Sequence, residues 1–206
     1  MRKFEDKYLI KKNFNFDASE VYITPTVIKK SIQHMYNTLD IIDNTLIQKN
    51  VEKLSLLVER ANLSSIVGNL LGAGYANASN SNYFRNRPNT YPDLVPTGDL
   101  QGIEIKTALV KNYLKGHLPK EGYYLTYRYC LTDSNGQLVS NDGCAGDTVT
   151  IWEVKFGYLE ANDFSVSNTD GDSGKTAVIK SKKFNKMSLL YLDKTVNPYK
   201  RYPGCI

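Results

Sequence analysis

Hydrophobic and polar positions change rhythm along this chain. In "TPTVIKKSIQHMYNTLDIIDNTLIQ", Val27, Ile28, Ile32, Met35, Leu39 and Ile42 recur at three- and four-residue spacing. That is the stripe of a helix with one buried face. Thr24 followed by Pro25 supplies an N-cap and a proline at the first helical position. The spacing returns in "NVEKLSLLVERANLSSIVGNLLG", where Leu54, Leu57, Val58, Ala61, Ile66 and Leu70 predict a second helix, capped by Asn50 and stopped at Gly72. Residues 1–22 are polar with scattered aromatics and read as an arm suited to an interface.

From 73 to 90 the periodicity is lost, and "AGYANASNSNYFRNRPNT" predicts a loop. A loop of that length is uncommon in a compact domain unless it has a function. Beyond it the period becomes two. Asp93, Leu94 and Val95 begin a strand, "PTGDLQG" turns the chain, and Ile103 to Ala108 return. Pro92 caps the first strand rather than sitting inside it. "YYLTYRYCL" and "TVTIWEVKFGYL" predict longer strands, "TAVIK" and "MSLLYL" shorter ones, with turn-rich segments between. Helices first and a mixed sheet afterwards predict an α/β (α+β) fold.

Composition narrows this picture. A chain of 206 residues, 41% hydrophobic, suits one globular domain over residues 1–206. No apolar run has the length of a membrane span, and the basic start lacks the apolar region of a secretory signal. The three cysteines, Cys130, Cys144 and Cys205, form no CxxC pair, which argues against a zinc site or disulfide framework and suits a reducing cytoplasm. Two histidines leave little material for a His-rich metal site or a Ser-His-Asp triad. A net charge of +5 permits a polyanionic partner without demanding one.

The chemistry concentrates in "TYPDLVPTGDLQGIEIKTA". Side chains alternate along a strand, so Glu104 and Lys106 share one face while Ile103 and Ile105 enter the core. If Asp93 pairs beside Glu104, two carboxylates and an ammonium converge. The bland reading is a half-buried strand with a solvated ion pair. The sharper one is phosphodiester hydrolysis, because two carboxylates with the backbone carbonyl of Ile105 suit Mg²⁺. A bound Mg²⁺ activates water and neutralises the phosphate, and a lysine alongside orients that water. Without a cation, the two carboxylates would raise each other's pKa.

"PD", ten residues, then "EIK", after helices and before a basic segment, resembles the PD-(D/E)xK nucleases, and the layout of the whole chain resembles type II restriction endonucleases. The resemblance implies a restriction-endonuclease-like mixed central sheet flanked by helices. It implies site-specific, Mg²⁺-dependent cleavage of double-stranded DNA by a cytoplasmic prokaryotic homodimer acting on a short palindromic site. Its metal-binding aspartate falls on Asp93, its acidic ligand on Glu104 and its lysine on Lys106. A further helix-borne acid falls best on Glu59, with Glu52 behind it. The alternatives are another nuclease of this fold, such as a repair nickase or junction resolvase, and a DNA-binding protein without catalysis.

Candidate DNA contacts surround the motif. Ser79, Asn82, Tyr83, Arg85, Asn86 and Arg87 precede Asp93, and arginine and asparagine can read guanine and adenine edges. Lys111, Asn112, Lys115 and His117 follow the strand and suit phosphates; a solvated surface is the bland alternative for each. "SGKT" is not a P-loop, since no glycine stands where that loop needs its first one, so no nucleotide cofactor is expected. Asp172, Ser173, Lys175 and Thr176 then read as a recognition loop or a surface hairpin. Trp152, Phe156 and Tyr158 at period two are core rather than a stacking platform.

Overall fold

The computed structural model describes residues 2–87, 90–110, 114–116, 119–167 and 176–199. Among them, helix α1 spans Pro25–Gln48, and the Thr24 hydroxyl accepts the Val27 N–H at 3.2 Å. Asn50 does not cap a second helix. It closes α1 in the left-handed region, φ 58°, with Asn50 N–H on the Ile47 carbonyl and Val51 N–H on that of Leu46. This is a Schellman stop, in which asparagine takes the place usually given to glycine.

The second predicted helix is two. A short turn, α2, covers Leu54–Leu57; Val58 and Glu59 are extended, and α3 runs Arg60–Ala78. The break resets the helical phase. The buried face of α3 is therefore Leu63, Val67, Leu71 and Tyr75, whereas Ala61 is exposed and Ile66 and Leu70 are only half-buried. Gly72 does not stop the helix. A Cβ there would meet the Ile105 Cδ1 at 3.3 Å, and one at Gly74 would lie 2.8 Å from the Ser31 carbonyl on α1. These glycines let α3 lie close to the sheet and to α1. Half of the expected loop is helix and strand: α3 runs on to Ala78, and β1 (Tyr83–Arg85) follows a short turn.

The strands β2 (Leu94–Pro96), β3 (Ile103–Leu109), β4 (Lys115–Gly116), β5 (Gly122–Thr132), β6 (Thr148–Leu159), β7 (Phe164–Ser167), β8 (Thr176–Ile179) and β9 (Ser188–Leu192) complete the chain with α4 (Ser181–Lys186). A six-stranded mixed sheet has the order β1-β2-β3-β5-β6-β9, with β3 and β5 parallel and the other pairs antiparallel. A second sheet has the order β4-β8-β7. The fold is thus mixed α/β, a sheet flanked by helices. One face of the large sheet packs Ile103, Ile105, Leu125, Tyr127 and Tyr129 in a core shared with α1 and α3. The other face packs Ala108 and Tyr124 against Phe164, Ala177, Ile179, Phe184 and Met187 of the second layer.

Central β6 is buried on both faces, so Trp152 and Phe156 are core and form no stacking platform; Tyr158, near its end, is 41% exposed. The N-terminal arm folds onto its own chain. Leu9 bridges Tyr191 and Ile10 N–H bonds the Leu190 carbonyl at 2.9 Å, which covers the β9 edge. Phe4 and Val21 enter the core, and Phe16 meets Phe156 edge-on. Burial of these apolar side chains is what draws the arm in. No helix among the described residues is long and apolar enough to cross a membrane.

Candidate active site

The β2–β3 pairing consists of Leu94 opposite Ile103, and one step further Asp93 meets Glu104. There the two carboxylates replace the ladder. Asp93 Oδ2 accepts the Ile105 N–H at 2.8 Å, and Glu104 Oε2 accepts the Asp93 N–H at 3.2 Å. Lys106 Nζ donates to Glu104 Oε1 at 2.5 Å. Ile103 and Ile105 are buried as expected, while the Glu104 and Lys106 side chains keep 12% and 22% exposure, enough to be reached.

A residue in a strand sends its N–H and C=O to the same edge. Since the Ile105 N–H bonds Asp93, its carbonyl also lies on the edge facing Asp93. Two carboxylates and this carbonyl form an all-oxygen donor set, which fits Mg²⁺ with water completing its shell. Burial raises the Glu104 pKa above the ordinary glutamate value; Lys106 opposes the shift and Asp93 adds to it.

Two tyrosines frame the pair, and the strand pattern alone did not single them out. Tyr124 is the β5 neighbour of Glu104, and its hydroxyl donates to the Lys120 carbonyl at 2.8 Å. Tyr91 donates to the Glu121 carbonyl at 2.6 Å. Both phenols are pushed up, by burial first and then by neighbours that include the Glu104 charge. Glycine makes room for this segment: a Cβ on Gly122 would sit 2.3 Å from the Tyr91 hydroxyl, and one on Gly102 would sit 2.3 Å from Pro92 Cγ. Asn86 holds the other side, with its N–H on the Asp93 carbonyl and its amide on that of Pro92, both at 2.9 Å.

The remaining candidates separate clearly. Glu59 is exposed beside the α2–α3 break, and among the described residues no third acidic, histidine or cysteine side chain joins the carboxylate pair. Ser79 is fully buried and closes the turn after α3 through Tyr83 N–H and the Ala76 carbonyl. Tyr83 is core, with its hydroxyl on the Gln101 carbonyl at 2.9 Å. Asn82 holds the same turn through the Ser79 carbonyl. Ser79 and Tyr83 are thus held inside the fold, while Asn82 and Asn86 are half-buried and use their amide N–H groups on neighbouring carbonyls. Arg85 and Arg87 are exposed, Arg85 bonding Asn69 at 3.0 Å. Lys115 lies in β4 and Thr176 opens β8. Lys111, Asn112, His117, Asp172, Ser173 and Lys175 lie outside the described residues.

A second acid-x-lysine triplet, Glu153-Val154-Lys155, stands in β6 on the same face, since Lys106, Thr126 and Lys155 are successive cross-strand neighbours. It is sealed. Glu153 and Lys155 are 1% and 2% exposed, and Lys155 Nζ bonds the Phe184 carbonyl of α4 at 3.2 Å. Access and the partner Asp93 therefore single out Glu104 and Lys106. No protein-family model matches the chain, and no curated protein matches its sequence.

Proposed function

We propose that this chain is a Mg²⁺-dependent endonuclease of the PD-(D/E)xK kind, acting on double-stranded DNA as a type II restriction enzyme. The observation that carries the reading is the interlocked Asp93–Glu104 pair with Lys106 on the same sheet face. The six-stranded mixed sheet between layers is compatible with it. Asp93, Glu104 and the Ile105 carbonyl would hold the cation. When bound, Mg²⁺ lowers the pKa of water and neutralises charge on the scissile phosphate. Lys106 would orient the attacking water and help balance the phosphate charge. A homodimer with two such sites suits a palindromic duplex, because two-fold protein symmetry matches two-fold sequence symmetry. The short Lys106–Glu104 contact also favours a second reading, a DNA-binding protein in which the two residues are only an ion pair.

Cleavage of plasmid and genomic DNA in Mg²⁺ separates these readings. The wild type is expected to cut. Asp93→Ala and Glu104→Ala should abolish cutting, and Ca²⁺ should support binding without cleavage because it activates water poorly. Lys106→Ala should lose cleavage while retaining metal binding in calorimetry. Full turnover by either carboxylate variant removes the assignment. DNA binding without cleavage in any divalent cation selects the second reading.

A further inference from the structure

The register of the large sheet places one unexpected side chain on the catalytic face. Arg85 pairs with Leu94 and Phe84 with Val95. Leu94 and Ile103 face the α3 core, as does Tyr83, which meets Tyr75 of α3 edge-on. Alternation therefore turns Phe84 to the opposite face, the one that carries Asp93, Glu104 and Lys106. Phe84 is 53% exposed, an unusual setting for a phenylalanine. Beyond Glu104 and Lys106 the second layer covers this face through Tyr124 and Ala108. Phe84 is on the other side, on edge strand β1. Two strand spacings separate β1 from β3, about 10 Å, which is about three base rises along one DNA strand.

We propose that Phe84 is a stacking residue for a nucleobase of the substrate, within about three nucleotides of the scissile phosphate. The proposal rests on the nuclease reading above. The adjoining Asp93–Glu104–Lys106 cluster favours a nucleotide as the occupant, and the exposed Arg87 follows Phe84 by three residues, whereas Arg85 lies on the α3 face with its guanidinium on Asn69. An exposed aromatic face beside such a cluster suits a base, since stacking tolerates any base. In duplex DNA this contact takes the form of an apolar wedge that partly unstacks one step. Asn86 ties segment 83–87 to Pro92 and Asp93.

The protein carries its own control for the test. Its one tryptophan, Trp152, is fully buried. Phe84→Trp therefore adds an exposed emitter against a shielded background. Titration with plasmid DNA in Ca²⁺ should quench its emission and protect it from iodide, with little change in wild-type emission. Phe84→Ser, unchanged in thermal melting, should bind the same DNA about 5- to 100-fold more weakly, and Phe84→Trp should bind like wild type. If wild type retards the plasmid in gels but Phe84→Trp emission and iodide access stay unchanged, or Phe84→Ser binds as wild type does, the stacking role is overturned and the nuclease reading stands. If wild type neither binds nor cuts plasmid or genomic DNA, the nuclease reading fails and takes this inference with it.

Discussion

At the scale of the residue, the site is a conflict of charges held in place by backbone. Two carboxylates face each other where a strand ladder ends, and each accepts an N–H from the opposite strand. Glu104 carries the cost, because its partly buried carboxyl has a pKa above the usual 4.5. A carboxyl that binds its proton more tightly when folded favours folding below the unfolded pKa and loses that contribution as pH rises through the folded value. Glu104→Gln does not titrate. Its stability relative to wild type should therefore rise as pH climbs from about 4.5 and level off above the raised pKa. Urea unfolding in chelator between pH 4 and 8 measures the difference. A difference that stays constant with pH would show that Glu104 is not strained.

At the scale of the element, the start of α1 and the period-two strands were legible, because hydrophobic spacing and the Thr24-Pro25 cap are local signals. The pairing of Asp93 with Glu104 was legible too, since a hairpin of this length leaves few registers. The phase of α3 was not. Its buried face depends on the extended pair Val58–Glu59 and on close approaches at Gly72 and Gly74, which only the tertiary structure reveals. The roles of Ser79 and Tyr83 were hidden for a similar reason, since a turn's internal hydrogen bonds are not written in composition. The packing of the arm onto β9 and the core was not legible, because its apolar residues are too scattered to show periodicity. Arg2 illustrates how firmly it is held. Its guanidinium binds Asp40 and Asp43, each at 2.6 Å, with 4% of its side chain exposed. Arg2→Ala strands the buried Asp43 carboxylate and should cost about 3 kcal/mol, lowering Tm by about 6–12 °C. A calorimetric Tm within 2 °C of wild type would mean that the arm is not a structural clasp.

At the scale of the whole molecule, charge is unevenly placed. The net +5 is too small to grip DNA without such asymmetry. Glu20 bonds Tyr123 and Glu121 bonds Tyr158 at the end of β5 and β6, on the sheet face opposite Glu104. Arg87 is exposed at the β1 side, with Arg85 on the α3 face of that strand, so DNA is expected to approach from the β1 edge. Each phosphate contact contributes about 0.9 to the log–log salt slope of binding. Arg85→Ala should flatten the slope by about that amount if it holds a phosphate. If it reads a base, discrimination between cognate and scrambled duplexes should fall by about 1–3 kcal/mol instead. Titrations across salt concentrations distinguish the two, and no change in either would move the DNA path away from β1.

The two carboxylates sit on elements of very unequal tenure. Glu104 belongs to β3, which is paired along seven residues with β5 in the sheet's interior. Asp93 precedes a three-residue strand joined to β3 by one paired position. Local opening follows such differences, with short peripheral strands released long before interior ones. Warming should therefore part the ligand pair while the sheet remains intact. Cleavage would fade below the temperature at which circular dichroism reports melting, and amide exchange at Leu94 and Val95 would outrun that of β5. Coincident loss of cleavage and of sheet signal would show instead that β2 and the interior melt as one unit.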